Sequence, residues 1–292
     1  MAPYNSFFLS ADGLNIFYRD SADSSSTEKP VILLLHGFPA SSHQFRNLIP
    51  LLSSKYRVIA PDLPGYGFTE VPATRNYTYT FESIALSIEA FLDALKITKY
   101  SVYVFDYGAP TGFRLALRRP DSIQAIITQN GNAYDEGFGA EFWAPIRALW
   151  ATGSEADKTV IRDAALTLEG YKTQYLLGTP DPSKIAPESW FLDYALTDRP
   201  GNKDVQLQLL YDYRTNLPLY PKFQEYFRTS NVPVLAVWGK HDIIFIPPGA
   251  EAFKSDVKNF ELHFLDAGHF AVLSHTEEIA GYILKFLEKN GI

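Results

Sequence analysis

The chain has 292 residues, enough to bury a large core, and carries a net charge of −7 with no block of Lys or Arg. That balance argues against nucleic acid or an anionic membrane surface as a partner and leaves a small apolar or weakly polar molecule as the expected ligand. There is no cysteine, which excludes disulfides, thiolate metal ligands and a cysteine nucleophile together. The first ten residues lack a charged stretch followed by a sustained apolar run, and no later segment approaches ~18 uninterrupted apolar residues. A soluble, cytoplasmic protein is expected. Aromatic residues make up 15% of the chain, with 18 Tyr and 21 Phe, which suits a ring-lined apolar pocket even though most must fill the core.

Short apolar runs alternate with helical patterns up to about residue 130 and again from about residue 232, the signature of a mostly parallel sheet covered by helices. Strands are predicted at 14–18, 31–36, 57–60, 101–105, 125–128, 234–238 and 261–265. Residues 21–29 form a polar, Ser-rich connection. The helix from Phe81 places Ile84, Ile88, Phe91, Leu92 and Leu95 on one stripe. Between 132 and 217 strand signals vanish, and helical patterns are broken at Gly153, Pro182, Pro187 and Pro200. This segment is predicted to be an inserted helical cap, dividing a core of residues 1–131 and 218–292. The last helix is expected to open with a capping box, Ser274-x-x-Glu277, to bury Ile279, Ile283, Phe286 and Leu287, and to stop at Gly291.

Chemistry-bearing motifs follow the predicted strands. His36-Gly37-Phe38-Pro39 follows the run at 31–35, and Asp62-Leu-Pro-Gly65-Tyr-Gly67 is a Gly-rich turn read as scaffold. Ser101-Val-Tyr-Val-Phe-Asp106-Tyr-Gly runs from a strand through one acidic residue into small residues and a helix. Trp238-Gly239-Lys-His-Asp242 and Ala267-Gly-His269-Phe follow the last two strands. Asp106 therefore sits at a strand–turn–helix tip. A carboxylate there attacks an electrophilic sp3 carbon and leaves an alkyl-enzyme ester, whereas a serine would lead to acyl transfer. The competing readings are a helix N-cap for Asp106 and a packed structural histidine for His269.

Together these motifs resemble the α/β-hydrolase superfamily, in the branch with an aspartate nucleophile that includes epoxide hydrolases and haloalkane dehalogenases. The resemblance implies an α/β fold with a mostly parallel eight-stranded sheet, covering helices and an inserted helical cap. It implies Asp106 as nucleophile, His269 as general base, Asp242 as its orienting acid, and the backbone N–H groups of Phe38 and Tyr107 as the oxyanion hole, with water as co-substrate and no metal or organic cofactor. Asp266, three residues before His269, is a second candidate acid; some dehalogenases place the acid after the strand that follows the nucleophile, where this chain has the uncharged Asn130.

The leaving group separates the two activities. Asp212-Tyr213-Arg214-x-Asn216 resembles the Tyr-Arg-x-Asn stretch of epoxide hydrolases, which makes Tyr213 the candidate phenol for a leaving oxygen. The region of the other cap tyrosine offers indoles instead, Trp143 and Trp150, which could donate to a halide; Tyr134, Tyr171 and Tyr175 are alternative phenols. Trp is missing directly after Asp106, and the positions one and four beyond it are Tyr107 and Pro110 rather than arginines, which disfavours halide and carboxylate substrates respectively. Epoxide opening is the expected activity, dehalogenation the runner-up, and a ligand-binding protein on the same scaffold the alternative from another class.

Overall fold

A computed structural model describes residues 4–22 and 29–292; most of the Ser-rich connection therefore lies outside the described residues. The strands are β1 (Asn5–Ala11), β2 (Leu14–Asp20), β3 (Val31–Leu35), β4 (Arg57–Pro61), β5 (Tyr100–Phe105), β6 (Ile123–Gln129), β7 (Val234–Gly239) and β8 (Phe260–Leu265). They form one sheet in the order β1, β2, β4, β3, β5, β6, β7, β8. The pairs β1–β2 and β2–β4 are antiparallel and the rest parallel, as the expected mostly parallel eight-stranded sheet requires. Strands β3 and β5 are buried on both faces, which is why they read as unbroken apolar runs.

Seven strands lie within two residues of their predicted positions. The eighth, β1, was not predicted. It is an edge strand paired on one side only, and its residues are almost all exposed, so it carries no alternating apolar signal.

The chain runs from β3 outward to β4 on one side and returns to β5 on the other. Such a reversal opens a crevice at the carboxyl ends of the two central strands. The register pairs Leu35 with Val104, which brings the segment after β3 beside the segment after β5.

Helices α1 (Leu48–Leu52), α2 (Phe81–Ala94) and α3 (Gly108–Arg118) precede β6. Between β6 and β7 lie α4 (Ala140–Thr152), α5 (Glu155–Ala165), α6 (Leu168–Leu176), α7 (Glu188–Thr197), α8 (Asn202–Asp212) and α9 (Tyr220–Ser230). Helices α10 (Pro247–Ala252), α11 (Ala271–Ser274) and α12 (Thr276–Lys289) follow. In α2 the predicted stripe is buried except for Leu95, which is half-buried just past the helix end, and Thr80 caps the helix by accepting from the Ser83 N–H. The predicted capping box at Ser274 does not form. Ser274 ends the short helix α11, its hydroxyl faces the Ala271 carbonyl and His275 Nδ1, and α12 starts two residues later without a side-chain cap.

Strands β6 and β7 are neighbours in the sheet, yet α4 to α9 all intervene. Helix α9 packs on α3, while α4, α5, α6, α7 and α8 pack on one another in sequence-adjacent or crossed pairs. Polar ties join these helices to the rest: Arg46 to Ser189 (3.0 Å), Gln206 to the Gly65 carbonyl (3.0 Å), and the Phe81 N–H to Asp212 (2.8 Å). No helix among the described residues is long and apolar enough to cross a membrane.

The approach of α3 to β3 depends on Gly108, where a Cβ would lie 2.2 Å from the Leu35 carbonyl oxygen. Gly108→Ala is expected to destabilise the protein by about 1–3 kcal/mol through this backbone clash, read as a lowered thermal midpoint.

Candidate active site

Asp106 occupies the turn between β5 and α3 with φ +47°, a left-handed conformation that is strained for any residue other than glycine. The turn lifts its side chain into the crevice towards β3. There the Phe38 N–H donates to Asp106 Oδ1 at 2.6 Å. Gly37 makes this approach possible, since a Cβ on it would sit 2.3 Å from that same oxygen. The Tyr107 N–H lies close enough to favour the ionised carboxylate, although it makes no hydrogen bond of good geometry here. His36, at the start of the same loop, accepts from the Leu63 N–H at 2.9 Å and so anchors the loop to the turn after β4.

His269, in the loop after β8, shares a hydrogen bond of 2.7 Å between Nδ1 and Asp242 Oδ2. Its Nε2 lies 3.8 Å from Asp106 Oδ2 and has no hydrogen-bond partner. The other candidate acid, Asp266, is exposed and paired with Lys240 and His241, so it does not reach the imidazole. Asn130, after β6, donates to Asp242 Oδ2 at 2.7 Å and accepts from the Gly239 N–H at 3.0 Å, while the Ile244 N–H donates to Asp242 Oδ1 at 2.7 Å. Sequence reasoning dismissed Asn130 because it is uncharged. In the folded chain it is a buttress that holds Asp242.

Burial penalises the charge on Asp106 and pushes its carboxyl up to about 6, despite the opposing pull of His269 and of the Phe38 and Tyr107 N–H groups. For His269, burial works against the imidazolium, but the charge and hydrogen bond of Asp242, with the charge of Asp106, outweigh it and raise the pKa. Part of the basicity of His269 therefore depends on Asp106 being ionised. Among the described residues no three His, Asp or Glu side chains are grouped to hold a metal ion.

A cavity of about 340 Å³ opens over Asp106, between the loops at the sheet's carboxyl end and helices α4, α5, α6 and α8. Its wall is apolar, with Phe38, Phe142, Trp143, Ile146, Ile161 and Leu210; besides Asp106, its polar exceptions include Thr173, Gln174 and Glu141. A smaller space of about 100 Å³, bounded by Gln174, Phe142, Asp242 and His269, adjoins it. Gln174 was not singled out from sequence, because a lone amide in a helix with no motif around it carries no signal.

The predicted leaving-group donors are placed unevenly. Trp143 lines the cavity, but its indole N–H donates to the Ile244 carbonyl at 2.8 Å. Trp150 stacks on Tyr213 behind the wall and donates to the Leu210 carbonyl, also at 2.8 Å. Neither indole is free for a halide. Tyr134 is away from the cavity, its hydroxyl spent on Asp256 at 2.8 Å, so its proposed contact with substrate is corrected. Tyr175 likewise gives its hydroxyl to Asp193. Tyr171 is buried against Phe38, its hydroxyl without a partner. Tyr213 is fully buried behind Tyr107 and Trp143, with ring centroids 5.6 and 4.9 Å away, and its hydroxyl faces that of Tyr220 at 3.3 Å.

A strained acidic turn facing a backbone N–H, with an Asp–His pair after the last two strands, β7 and β8, defines a hydrolase-type site. The chain belongs to the alpha/beta hydrolase fold family, whose pattern it matches over residues 30–276. It is similar to an uncharacterized hydrolase of Saccharomyces cerevisiae, with 45% identity over 96% of this chain and 95% of that protein. It is also similar to epoxide hydrolase 3 of Siraitia grosvenorii (29% identity, 89% and 92% covered) and to a haloalkane dehalogenase of Psychrobacter cryohalolentis (25%, 92% and 86%). Among solved structures, the epoxide hydrolase CorEH superposes with a TM-score of 0.79 over 98% of this chain and 99% of that one, at 20% identity.

The electrostatic coupling across the site is measurable. Asp106→Asn removes one of the charges that raise the His269 pKa, so the imidazole is expected to titrate at lower pH in the variant, as followed by NMR of the ring protons.

Proposed function

We propose that this hydrolase opens small, neutral, mainly apolar epoxides to diols through a covalent ester on Asp106. The observation that carries the reading is the placement of one buried carboxylate, with Oδ1 on the Phe38 N–H and Oδ2 3.8 Å from an unpartnered His269 Nε2. Asp106 attacks a ring carbon, and the C–O bond breaks towards an oxygen that requires a proton donor. His269, held by Asp242, then takes a proton from water as that water adds to the ester carbonyl. The developing oxyanion falls to the N–H groups of Phe38 and Tyr107. The second step gains from the coupling described above: once Asp106 is an ester its charge is gone and the pKa of His269 falls, so a larger share of the imidazole is neutral when a base is needed.

The cavity suits this substrate class. Its wall is apolar and holds no Lys or Arg, and at about 340 Å³ it lies at the small end of the range for ligand sites. Residues 132–217 act in this reading as a cap that closes it. One observation disfavours halide as the leaving atom: both indole N–H groups of the α4 region are committed to backbone carbonyls. Tyr213 is the proposed donor; its ring stands behind Tyr107 and Trp143 and does not line the cavity, so donation requires those rings to part when substrate binds.

A single turnover of styrene oxide in 18O-labelled water is expected to place the label in the Asp106 carboxylate, read by mass spectrometry of the peptide; label appearing only in the diol would sink the covalent mechanism. Asp106→Ala should lower turnover by about a thousandfold or more, and Tyr213→Phe should slow ester formation by about 10- to 100-fold. Ester formation needs ionised Asp106, so its rate in the wild-type protein should fall as pH drops through about 6, as followed by rapid-quench kinetics.

A further inference from the structure

One buried carboxylate takes no part in the chemistry just described. Asp193, on α7, is 3% exposed. Its Oδ1 accepts from the Ser41 hydroxyl at 2.7 Å, and its Oδ2 accepts from the Tyr175 hydroxyl of α6 at 2.5 Å. Neither partner is on the surface: Ser41 and Tyr175 are both fully buried. Burying a carboxylate is costly, and removing it would leave two buried hydroxyls without their acceptor. Asp193 pays that cost at a junction between three parts of the active site.

The first part is the loop that carries Phe38. Ser41 follows directly on a turn closed by the Ala40 N–H and the Gly37 carbonyl at 2.9 Å, and Phe38 is inside that turn. On its other side Ser42 is held by its N–H to Asp62 at 2.7 Å. The second part is the cavity wall, since Tyr175 is preceded in α6 by Thr173 and Gln174, both of which line it. The third is the histidine loop: the ring of Tyr175 lies flat on that of Phe270, the residue after His269, with centroids 3.9 Å apart and planes 9° from parallel.

We propose that Asp193 is a positioning residue that locks helices α6 and α7 onto the Phe38 loop, and thereby fixes the distance between the oxyanion donor and Asp106. It touches neither substrate nor reacting atoms. The inference rests on the reading of Asp106 as the nucleophile, but its structural half can be tested without any reaction. Both hydroxyls find their acceptor when Asp193 is ionised; burial pushes its carboxyl up to about 7, so the comparison is made above that pH. Asn in its place keeps the shape and one acceptor, and turns the other position into a donor facing a hydroxyl whose proton then lacks an acceptor.

The test is Asp193→Asn in the full chain, with two readouts. In the absence of ligand, hydrogen exchange at the Phe38 amide should speed up by about tenfold; in turnover of styrene oxide, kcat should fall by about tenfold or more while KM stays within about twofold. Should Asp193→Asn fail to fold, Ser41→Ala decides by the same readouts, and Ser41→Thr, which keeps the hydroxyl, should restore both. A lowered thermal midpoint with unchanged Phe38 exchange and unchanged kcat would reduce Asp193 to a packing role and overturn the proposal. If Asp106→Ala instead retains turnover, the covalent reading fails by itself, and the ligand-free exchange measurement still judges Asp193.

Discussion

An ionised carboxylate buried at the tip of a strained turn is unstable unless its surroundings replace the water it has lost. At Asp106 the replacement is a backbone N–H at 2.6 Å, supplied by the loop after the neighbouring strand, with an imidazole on the other side. Most of the local architecture follows from bringing these together. The strand order must reverse between β4 and β5 so that the two loops meet, Gly37 must lack a side chain so that the carboxylate can reach the amide, and His36 must be tied to Leu63 so that the loop holds still. The compensation is incomplete, as the pKa of about 6 records. That incompleteness suits the proposed role of Asp106, because a carboxylate fully satisfied by its surroundings is a poor nucleophile.

The acid–base pair is built by the same logic one layer further out. Asp242 receives three hydrogen bonds, from His269, Asn130 and the Ile244 N–H, and these come from three different loops. Each loop leaves the carboxyl end of a different strand, so the rigidity of the parallel sheet is transmitted to the imidazole. Asn130 itself has φ +49°, which places a second left-handed residue beside Asp106 at the ends of adjacent strands. The strain is concentrated where backbone has to be redirected into the site.

How much of this could be read from the residues alone follows from where the information is local. Asp106, Asp242 and His269 each stand directly after an apolar strand in a short motif, so neighbours in sequence are enough to place them at one end of the sheet. The parallel strands announce themselves because burial on both faces makes them continuously apolar. β1 does not, because an exposed edge strand has no buried face to leave a pattern. Ser274 shows the reverse case: the local spacing of a capping box is present, but the preceding turn takes its hydroxyl. Tyr134 and Trp150 lie in the expected region, yet whether a hydroxyl or an indole N–H faces a cavity depends on how the helices pack, which no spacing records. Gln174 and Asp193 were invisible for a related reason. A single polar residue reads as surface until the fold buries it.

The cavity wall and the reacting groups come from separate stretches of chain. The wall over Asp106 is drawn mostly from α4, α5 and α6, all between Ala140 and Leu176, whereas Asp106, His269 and Asp242 sit on sheet loops outside that interval. Substitutions within those three helices can therefore reshape which molecules enter without disturbing the proposed reacting groups. In a lineage, substrate range and catalytic chemistry are then free to drift at different rates, and two chains that share every reacting residue can differ in diet.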